Sequence, residues 1–369
     1  MAGGLALEQL LGYIALGKPI EKVKNGISDP LPEFSAIKGK PAIADKKRFM
    51  TYRGTRQTSR RVEYDAPHLR GTHTPVGEVD VICITSKELL PIAGSTLLQL
   101  RSMDAYQSDL GKDWLAITTR NFTTQFDNLR KAQRWMMLAT GTTYFDSNGN
   151  LLPNSSGALA TGAGSIDIGI AATHKNQANG IIDLPWSNSQ ANIPLHLSQL
   201  QQQQAFQTGF DIEVALYGQK LPSFFSSNDF CLDYLARNPR YNDAFVNGAS
   251  EGGLPDGLFG IKRWIPTHKV FYDDANGTHQ QIFADDSLVL TPTPNADWYE
   301  QVEGTTLVPT TFAATSDLNA AVATGKMVEG MYGYGLPTHN PFGATLFYGD
   351  VFLAFVKNPD VVWTLDVDF

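Results

Sequence analysis

The chain has 369 residues, with 29 Lys and Arg against 37 Asp and Glu, and its formal net charge is −8. A hydrophobic share of 42% is enough for one or two packed cores, which excludes a chain that is disordered throughout. Only 18% of the residues are charged, while 11% are aromatic and Gly and Pro number 33 and 20, a balance that favours β structure. The acidic charge argues against a simple nucleic-acid reader, which normally carries a basic stripe, but it allows an acidic container around DNA.

The cysteines and the N-terminus bear on the cellular compartment. Cys83 and Cys231 allow at most one disulfide and are too few for a zinc module, which fits a reducing cytoplasm. The N-terminus lacks the basic start and uninterrupted apolar core of a signal peptide, and no later run reaches about 18 apolar residues. We therefore expect neither export nor a membrane span.

The first 48 residues mix short apolar pieces with lysines, and prolines interrupt any long helix. This pattern predicts an extended arm with one short helix. Such a segment has little apolar surface of its own, so its order would have to come from lying on its own body or on a neighbour. The alternative is a flexible tail.

Residues 49–90 alternate polar and β-favouring side chains between turn formers, which predicts a long two-stranded excursion. Arginines cluster on it and could pair with carboxylates of a neighbouring copy, although a solvated strand face explains each of them equally well. These candidates for contact between subunits are Arg53, Arg56, Arg60 and Arg61.

Apolar residues recur at steps of three and four between 113 and 140, which predicts one long amphipathic helix. Arg130, Lys131 and Arg134 lie in its later turns, where positive charge complements the helix dipole, and Gly141 follows as a left-handed cap. A hairpin is expected next, around Asn148 and Gly149.

The remaining chain alternates short strands and helices. The predicted elements are strands in SIDIGI and DIEVALYG, a Gln-rich helix over 194–208, a helix capped by Ser227 that ends near Asn238, a hairpin in WIPTHKVFYDDANGTHQQIF that turns at Asn276 and Gly277, and two C-terminal strands joined at Asn358 and Pro359. This order is mixed α+β, without the alternating βαβ units of a nucleotide-binding sheet.

One short motif hints at catalysis. Residues 248–252, Gly-Ala-Ser-Glu-Gly, match the G-x-S-x-G pattern that exposes a nucleophilic serine between a strand and a helix. The preceding residues look helical, and the glycines and proline that follow prevent the required helix, so a loop explains Ser250 better. A β-rich hydrolase using Ser250 remains an alternative, as does a carbohydrate-binding protein using the aromatics Trp186, Trp264 and Trp298.

Other catalytic and binding signatures are missing from the sequence. The seven histidines are scattered and show no metal-ligand spacing, and the paired acids at 273–274 and 285–286 do not fit a calcium loop. Neither a P-loop nor a dinucleotide fingerprint occurs. We therefore predict no catalytic, cofactor or metal site, and a protein that is not an enzyme.

The order of these weak signals resembles the major capsid proteins of tailed bacteriophages. It is most similar to the capsid protein E family of lambda-like phages, in which a helix ending in an Ala-Thr-Gly-like turn leads to a hairpin and a strand with Asp and Gly. Here RWMMLATG ends the helix, YFDSNGNLLP is the hairpin, and SIDIGI supplies Asp167 and Gly169. SFFSSNDFCLDYLARNPRYNDAF and GLFGIKRWIPTHKVFYDDANGTHQQIFADDSLVLTP add further matches, so the resemblance spans about 45–369.

The resemblance implies an HK97-like capsid fold and a shell-forming function. The chain would self-assemble as hexamers and pentamers into an icosahedral head around double-stranded DNA, which it would touch non-specifically. Scaffold, portal and decoration proteins would be further partners. The protein would be located in the virion, which would be assembled in the bacterial cytoplasm. The implied divisions are an N-terminal arm at 1–48, an extended loop at 49–90, a peripheral domain at 91–175 with its spine helix at 113–140, an axial domain at 176–338, and C-terminal strands at 339–369 that return to the peripheral domain.

Overall fold

The structure is a computed structural model, and it describes residues 27, 29–43, 46–52, 76–95, 105–146, 150–152, 164–249, 253–273, 277–309, 325–339 and 342–369. The helices of this part are α1 (Glu33–Ala36), α2 (Ala105–Thr140), α3 (Ile193–Thr208), α4 (Leu221–Ser227), α5 (Asp229–Arg237) and α6 (Pro239–Ala249). Its strands are β1 (Lys46–Tyr52), β2 (Val76–Ile82), β3 (Ile84–Ala93), β4 (Thr142–Phe145), β5 (Leu151–Leu152), β6 (Ser165–Asp167), β7 (Lys175–Asn176), β8 (Val214–Tyr217), β9 (Arg263–Pro266), β10 (Phe271–Asp273), β11 (His279–Gln281), β12 (Ser287–Thr291), β13 (Tyr299–Glu303), β14 (Thr305–Pro309), β15 (Gly325–Glu329), β16 (Tyr332–His339), β17 (Phe342–Val356) and β18 (Trp363–Asp366).

The long strand β17 organises the sheet that packs on α2. It pairs antiparallel with β16, β3 and β13. Successive side chains of a strand point to opposite faces. Tyr348, Asp350 and Phe352 accordingly contact α2, whereas Phe355 on the other face stacks on Phe49 of β1. The sheet is therefore held between the long helix and the root of the β1–β2 hairpin.

A second sheet has the order β7-β18-β12-β8-β9 and separates two hydrophobic cores. Leu288 and Leu290 of β12 face the core built with α3, α4 and α5, while Val289 between them faces the core that contains Trp135 of α2. Because β12 is buried from Leu288 to Thr291 and its side chains alternate between the two cores, it is a strand covered on both faces. This sheet therefore connects the end of the long helix to the group of shorter helices.

The predicted α+β class is confirmed, and several predicted elements occur with the expected ends. Gly141 ends α2 with φ 77, and its N–H bonds to the Met137 carbonyl oxygen at 2.9 Å. The Gln-rich helix is α3, which the Asn192 side chain caps and left-handed Gly209 ends. The hairpins β4–β5 and β10–β11 pair antiparallel as expected, although the turn residues Asn148, Gly149 and Asn276 lie outside the described residues.

Some boundaries were predicted wrongly. The long helix begins at Ala105 rather than at 113, because no proline or strong cap interrupts the polar residues before its apolar stripe. Asn228 caps α5, not Ser227: Ser227 is the last residue of α4, and its hydroxyl donates to the carbonyl oxygen of Ser223. In SIDIGI only residues 165–167 form a strand, since Gly169 adopts φ 74.

The excursion over 49–90 is only partly a two-stranded unit. β1 and β2 pair antiparallel from Lys46↔Ile82 to Tyr52↔Val76, so the hairpin starts slightly before the predicted segment. Residues 84–93, however, form β3 and pair with β17 instead of β1. Residues 264–266, which the sequence predicts as part of a hairpin, instead belong to β9, which pairs in parallel with β8. The division into domains stays a prediction.

Candidate functional site

Arg130 of α2 forms the centre of a buried ion-pair cluster between the helix and the sheet. Its Nε and Nη2 donate to the two carboxylate oxygens of Asp350 at 2.7 and 2.6 Å, and its Nη1 donates to Glu303 Oε1 at 2.9 Å. The Asp350 side chain has no exposed area, and the guanidinium lies 5.4 Å from the ring centre of Phe352. A bidentate Arg–carboxylate contact fixes orientation as well as distance. The Arg130–Asp350 pair therefore sets how α2 lies on the sheet.

The environment of the cluster shifts the pKa of each member. Burial raises the pKa of the Asp350 carboxyl, and Arg130 opposes this rise. Burial also acts to raise the pKa of Glu303, but its contacts with Arg130 and Lys38 lower it overall. For Arg130, burial works against the charged form, and the bonds to both carboxylates outweigh it and raise the pKa. A charge this deeply buried is stable only while its partners are present.

One turn later, Arg134 ties the N-terminal arm to the helix. Its Nη1 lies 3.1 Å from Asp29 Oδ2, and its Nη2 donates to Gln301 Oε1 at 3.1 Å. Phe34 of α1 is completely buried beside it, with its ring 4.6 Å from that of Tyr299 and 5.9 Å from that of Trp135. Polar and apolar contacts thus fix the same short stretch of arm.

Beyond α1 the arm runs beside β13 like an added parallel strand. Isolated parallel bridges join Lys38 to Gln301 and Ala42 to Gly304. The backbone N–H of Ala42 donates to the Glu303 carbonyl oxygen at 2.8 Å, and the Lys38 ammonium lies 3.5 Å from Glu303 Oε1. The described part of the arm therefore lies on its own body, one of the two surfaces that the sequence left open.

The root of the β1–β2 hairpin is fixed on the opposite face of the sheet. Lys47 of β1 donates to Glu300 Oε1 at 2.6 Å and to the Lys40 carbonyl oxygen at 2.5 Å. The Phe49 and Phe355 rings stack with centres 4.2 Å apart. Because Glu300 and Glu303 both lie on β13, this strand carries the attachments of the arm, the hairpin and the helix. We call the set Asp29, Lys38, Lys47, Arg130, Arg134, Glu300, Glu303 and Asp350 the limb junction.

Sequence reasoning found the junction arginines but not their role. The sequence predicts that Arg130 and Arg134 complement the helix dipole, whereas in the structure their side chains are largely buried and pair with carboxylates. Their i, i+4 spacing on the apolar face of a helix was the available signal. The predicted contact residues Arg53, Arg56, Arg60 and Arg61 lie outside the described residues, so their role stays a prediction.

The features of the alternative functions do not form a site. Ser250 lies outside the described residues. Trp186, Trp264 and Trp298 are 0%, 4% and 0% exposed, so the expectation that they could stack on sugars from the surface was wrong. All three fill cores, and their indole N–H groups bond within the chain.

Among the described residues no group of three His, Cys, Asp or Glu side chains could hold a metal ion. No helix there is both long and apolar enough to cross a membrane. A depression of about 390 Å³ beside α6 is lined by Arg240, Tyr241 and Asp256 among others, and Asp256 already accepts a bond from the Trp264 backbone N–H.

Comparison with known proteins gives matches in structure only. No protein-family model and no curated protein matches the chain. Similar solved structures include a protein assigned as a prophage capsid protein from Escherichia coli CFT073 (16% identity, 79% of each chain, TM-score 0.47). Others are a phage-related protein from Bordetella bronchiseptica RB50 (10%, 99% of this chain and 98% of that one, 0.45) and the mature capsid of bacteriophage PhiM1 (9%, 95% and 90%, 0.47). Scores below 0.5 at such identities assign no role to any residue of this chain.

Proposed function

We propose that the chain is the major capsid protein of a tailed bacteriophage, with an HK97-like fold, and that copies of it assemble into an icosahedral shell around double-stranded DNA. The observation that carries the proposal is the limb junction. It fixes an N-terminal arm and the root of a long hairpin to one strand, β13, against a 36-residue helix. Such an anchor would serve contacts between copies, because it fixes where the arm and the β1–β2 hairpin are attached to the body.

Many modest contacts suit such a shell better than one strong contact. The arm and the β1–β2 hairpin would each add contact area. Several contacts per chain would then combine into an assembly far more stable than any single contact. The net charge of −8 fits a container whose wall does not hold DNA tightly. Hexamers, pentamers, non-specific contact with DNA, and scaffold, portal and decoration partners belong to the same proposal, as do the virion location and the lack of catalysis.

Exposed pairs of apolar side chains on neighbouring strands offer surfaces that another copy of the chain could cover. Leu307 of β14 and Met327 of β15 are cross-strand partners, yet they are 46% and 65% exposed. Leu89 of β3, opposite Phe347 of β17, is 62% exposed. Adjacent apolar side chains left in water gain free energy when another surface covers them.

Electron microscopy of the expressed chain tests the proposal. We expect closed shells, or rings of five and six copies, formed by the chain alone or with a scaffold protein. Met327→Glu should reduce their yield, whereas Asn242→Glu, at an exposed polar position, should not. A chain that stays a compact monomer at all concentrations, with and without scaffold, would contradict the proposal.

A further inference from the structure

We propose that the outward stripe of α3, formed by Leu195, Gln199, Gln202 and Phe206, is a contact surface for a second copy of this chain. These residues are spaced by four, three and four positions, which places them on one side of a helix. All four are exposed, and Phe206 has 78% of its area in water. The inference rests on the proposed function only in that assembly supplies the second copy.

The stripe lies in an uncharged part of an acidic chain. From 184 to 210 the sequence contains no Asp, Glu, Lys or Arg, and the flanking charges are Asp183 and Asp211. The helices α5 and α6 differ, since α5 carries Asp229, Asp233 and Arg237 and α6 carries Arg240 and Asp243, while α4, which has only seven residues, is also uncharged. A helix with 16 residues and no formal charge is therefore a local exception.

The one titratable side chain of α3 is turned inward. His196 is 3% exposed; its Nδ1 accepts a bond from Trp186 Nε1 at 3.2 Å, and its Nε2 lies 2.9 Å from Asp183 Oδ1. Burial lowers the pKa of His196, and Asp183 opposes this shift. The imidazole is neutral at neutral pH, with its proton on Nε2, so it adds no charge to the outward stripe.

Charge identifies a second copy as the occupant. Two chains of net charge −8 repel each other, and an uncharged contact face removes the local part of that repulsion. Glutamine amides donate and accept hydrogen bonds, so a Gln-bearing surface can bond to an identical one. DNA, a polyanion, would gain nothing from a face without cations, and a basic partner would gain nothing from a face without carboxylates.

The helix is held rigidly enough to serve as an interface. Asn192 caps its first turn, accepting from the Leu195 N–H at 3.2 Å, and Gly209 ends it with φ 81. Leu197 and Leu200 anchor the inner side at 1% and 0% exposure. Little order would have to be gained on association, so burial of Phe206 would contribute almost fully to binding.

A pair of variants and a crosslinker test the proposal. Phe206→Ser should raise the concentration needed for assembly about tenfold, which equals about 1.4 kcal/mol, with an unchanged melting temperature. Val246→Ser is the matched control, because Val246 is 64% exposed on α6 with charged Asp243 one turn before it. A benzophenone amino acid at Gln202 should give a dimer-sized band after irradiation, and the same group at Val246 should not.

The outcomes separate this inference from the proposed function. Shells that form equally well with Phe206→Ser, and no dimer band from position 202, would overturn the inference and leave the shell function standing. A dimer band without rings or shells would support the contact and contradict the shell. A chain that neither assembles nor crosslinks would overturn both.

Discussion

Removal of Arg130 should cause a large loss of stability. In Arg130→Met the completely buried Asp350 loses bonds of 2.6 and 2.7 Å, whereas Glu303 keeps Lys38 at 3.5 Å. Breaking a buried ion pair by removal of one partner costs about 3–5 kcal/mol. At about 1.4 kcal/mol per factor of ten, the unfolding equilibrium shifts by a factor of roughly 100 to 4,000.

The loss should depend on pH in a defined direction. Burial already raises the pKa of Asp350, and without Arg130 it rises further. When the folded pKa of a carboxyl lies above its unfolded value, 3.8 here, the folded state binds the proton more readily, and stability increases as the pH falls through the folded pKa. The loss in free energy of unfolding caused by Arg130→Met should therefore be largest at about pH 8 and smaller at about pH 5.

Urea unfolding followed by circular dichroism measures both effects under conditions that prevent assembly. Arg237→Met is the control, because its pair with Asp233 has side chains 75% and 58% exposed and should contribute less than about 1 kcal/mol. Adding Asp350→Asn to Arg130→Met should recover at least half of the loss. A deficit below about 1 kcal/mol, or one that grows at low pH, would refute the role of the cluster.

Three further outcomes follow from the contacts described above. Phe34→Ala should cost about 3–5 kcal/mol of arm packing and make trypsin cut at the arm lysines faster; an unchanged cleavage rate would show that Phe34 does not hold the arm. Cys231, whose pKa burial raises to about 12, and Cys83, 4% exposed, should not react with a thiol reagent until urea unfolds the chain, and prompt labelling would contradict their burial. Gly218→Ala should lower the melting temperature because its Cβ would lie 2.3 Å from a backbone oxygen, whereas Gly164→Ala, with nothing within 4 Å, should not; equal melting temperatures would count against that packing.

Local signals predicted local structure well. Gly141 and Gly209 mark helix ends with φ 77 and 81, as a glycine after a periodic segment suggests. The error at Ser227 arose because two cap-forming residues are adjacent, and only the backbone of Asn228 takes the extended conformation of a cap. Residue type alone does not show which of Ser227 and Asn228 is the helix cap, because both types are common at that position.

The limb junction could not be predicted in the same way. The partners of Arg130 lie 220 and 173 residues away, and the bridges of the arm join Lys38 to Gln301 and Ala42 to Gly304, which are also distant in the sequence. Sequence periodicity identifies the helix face but not the carboxylates brought to it. The buried tryptophans show the same limit, since aromatic content alone does not distinguish a core side chain from one that binds a ligand.

The mass of the purified protein in dilute and concentrated solution tests the shell proposal most directly. We expect particles of five or six times 40.4 kDa, or closed shells of far greater mass, in equilibrium with the single chain. A mass of 40.4 kDa at every concentration, with scaffold present as well as absent, would contradict the proposal that this chain functions by assembling with copies of itself.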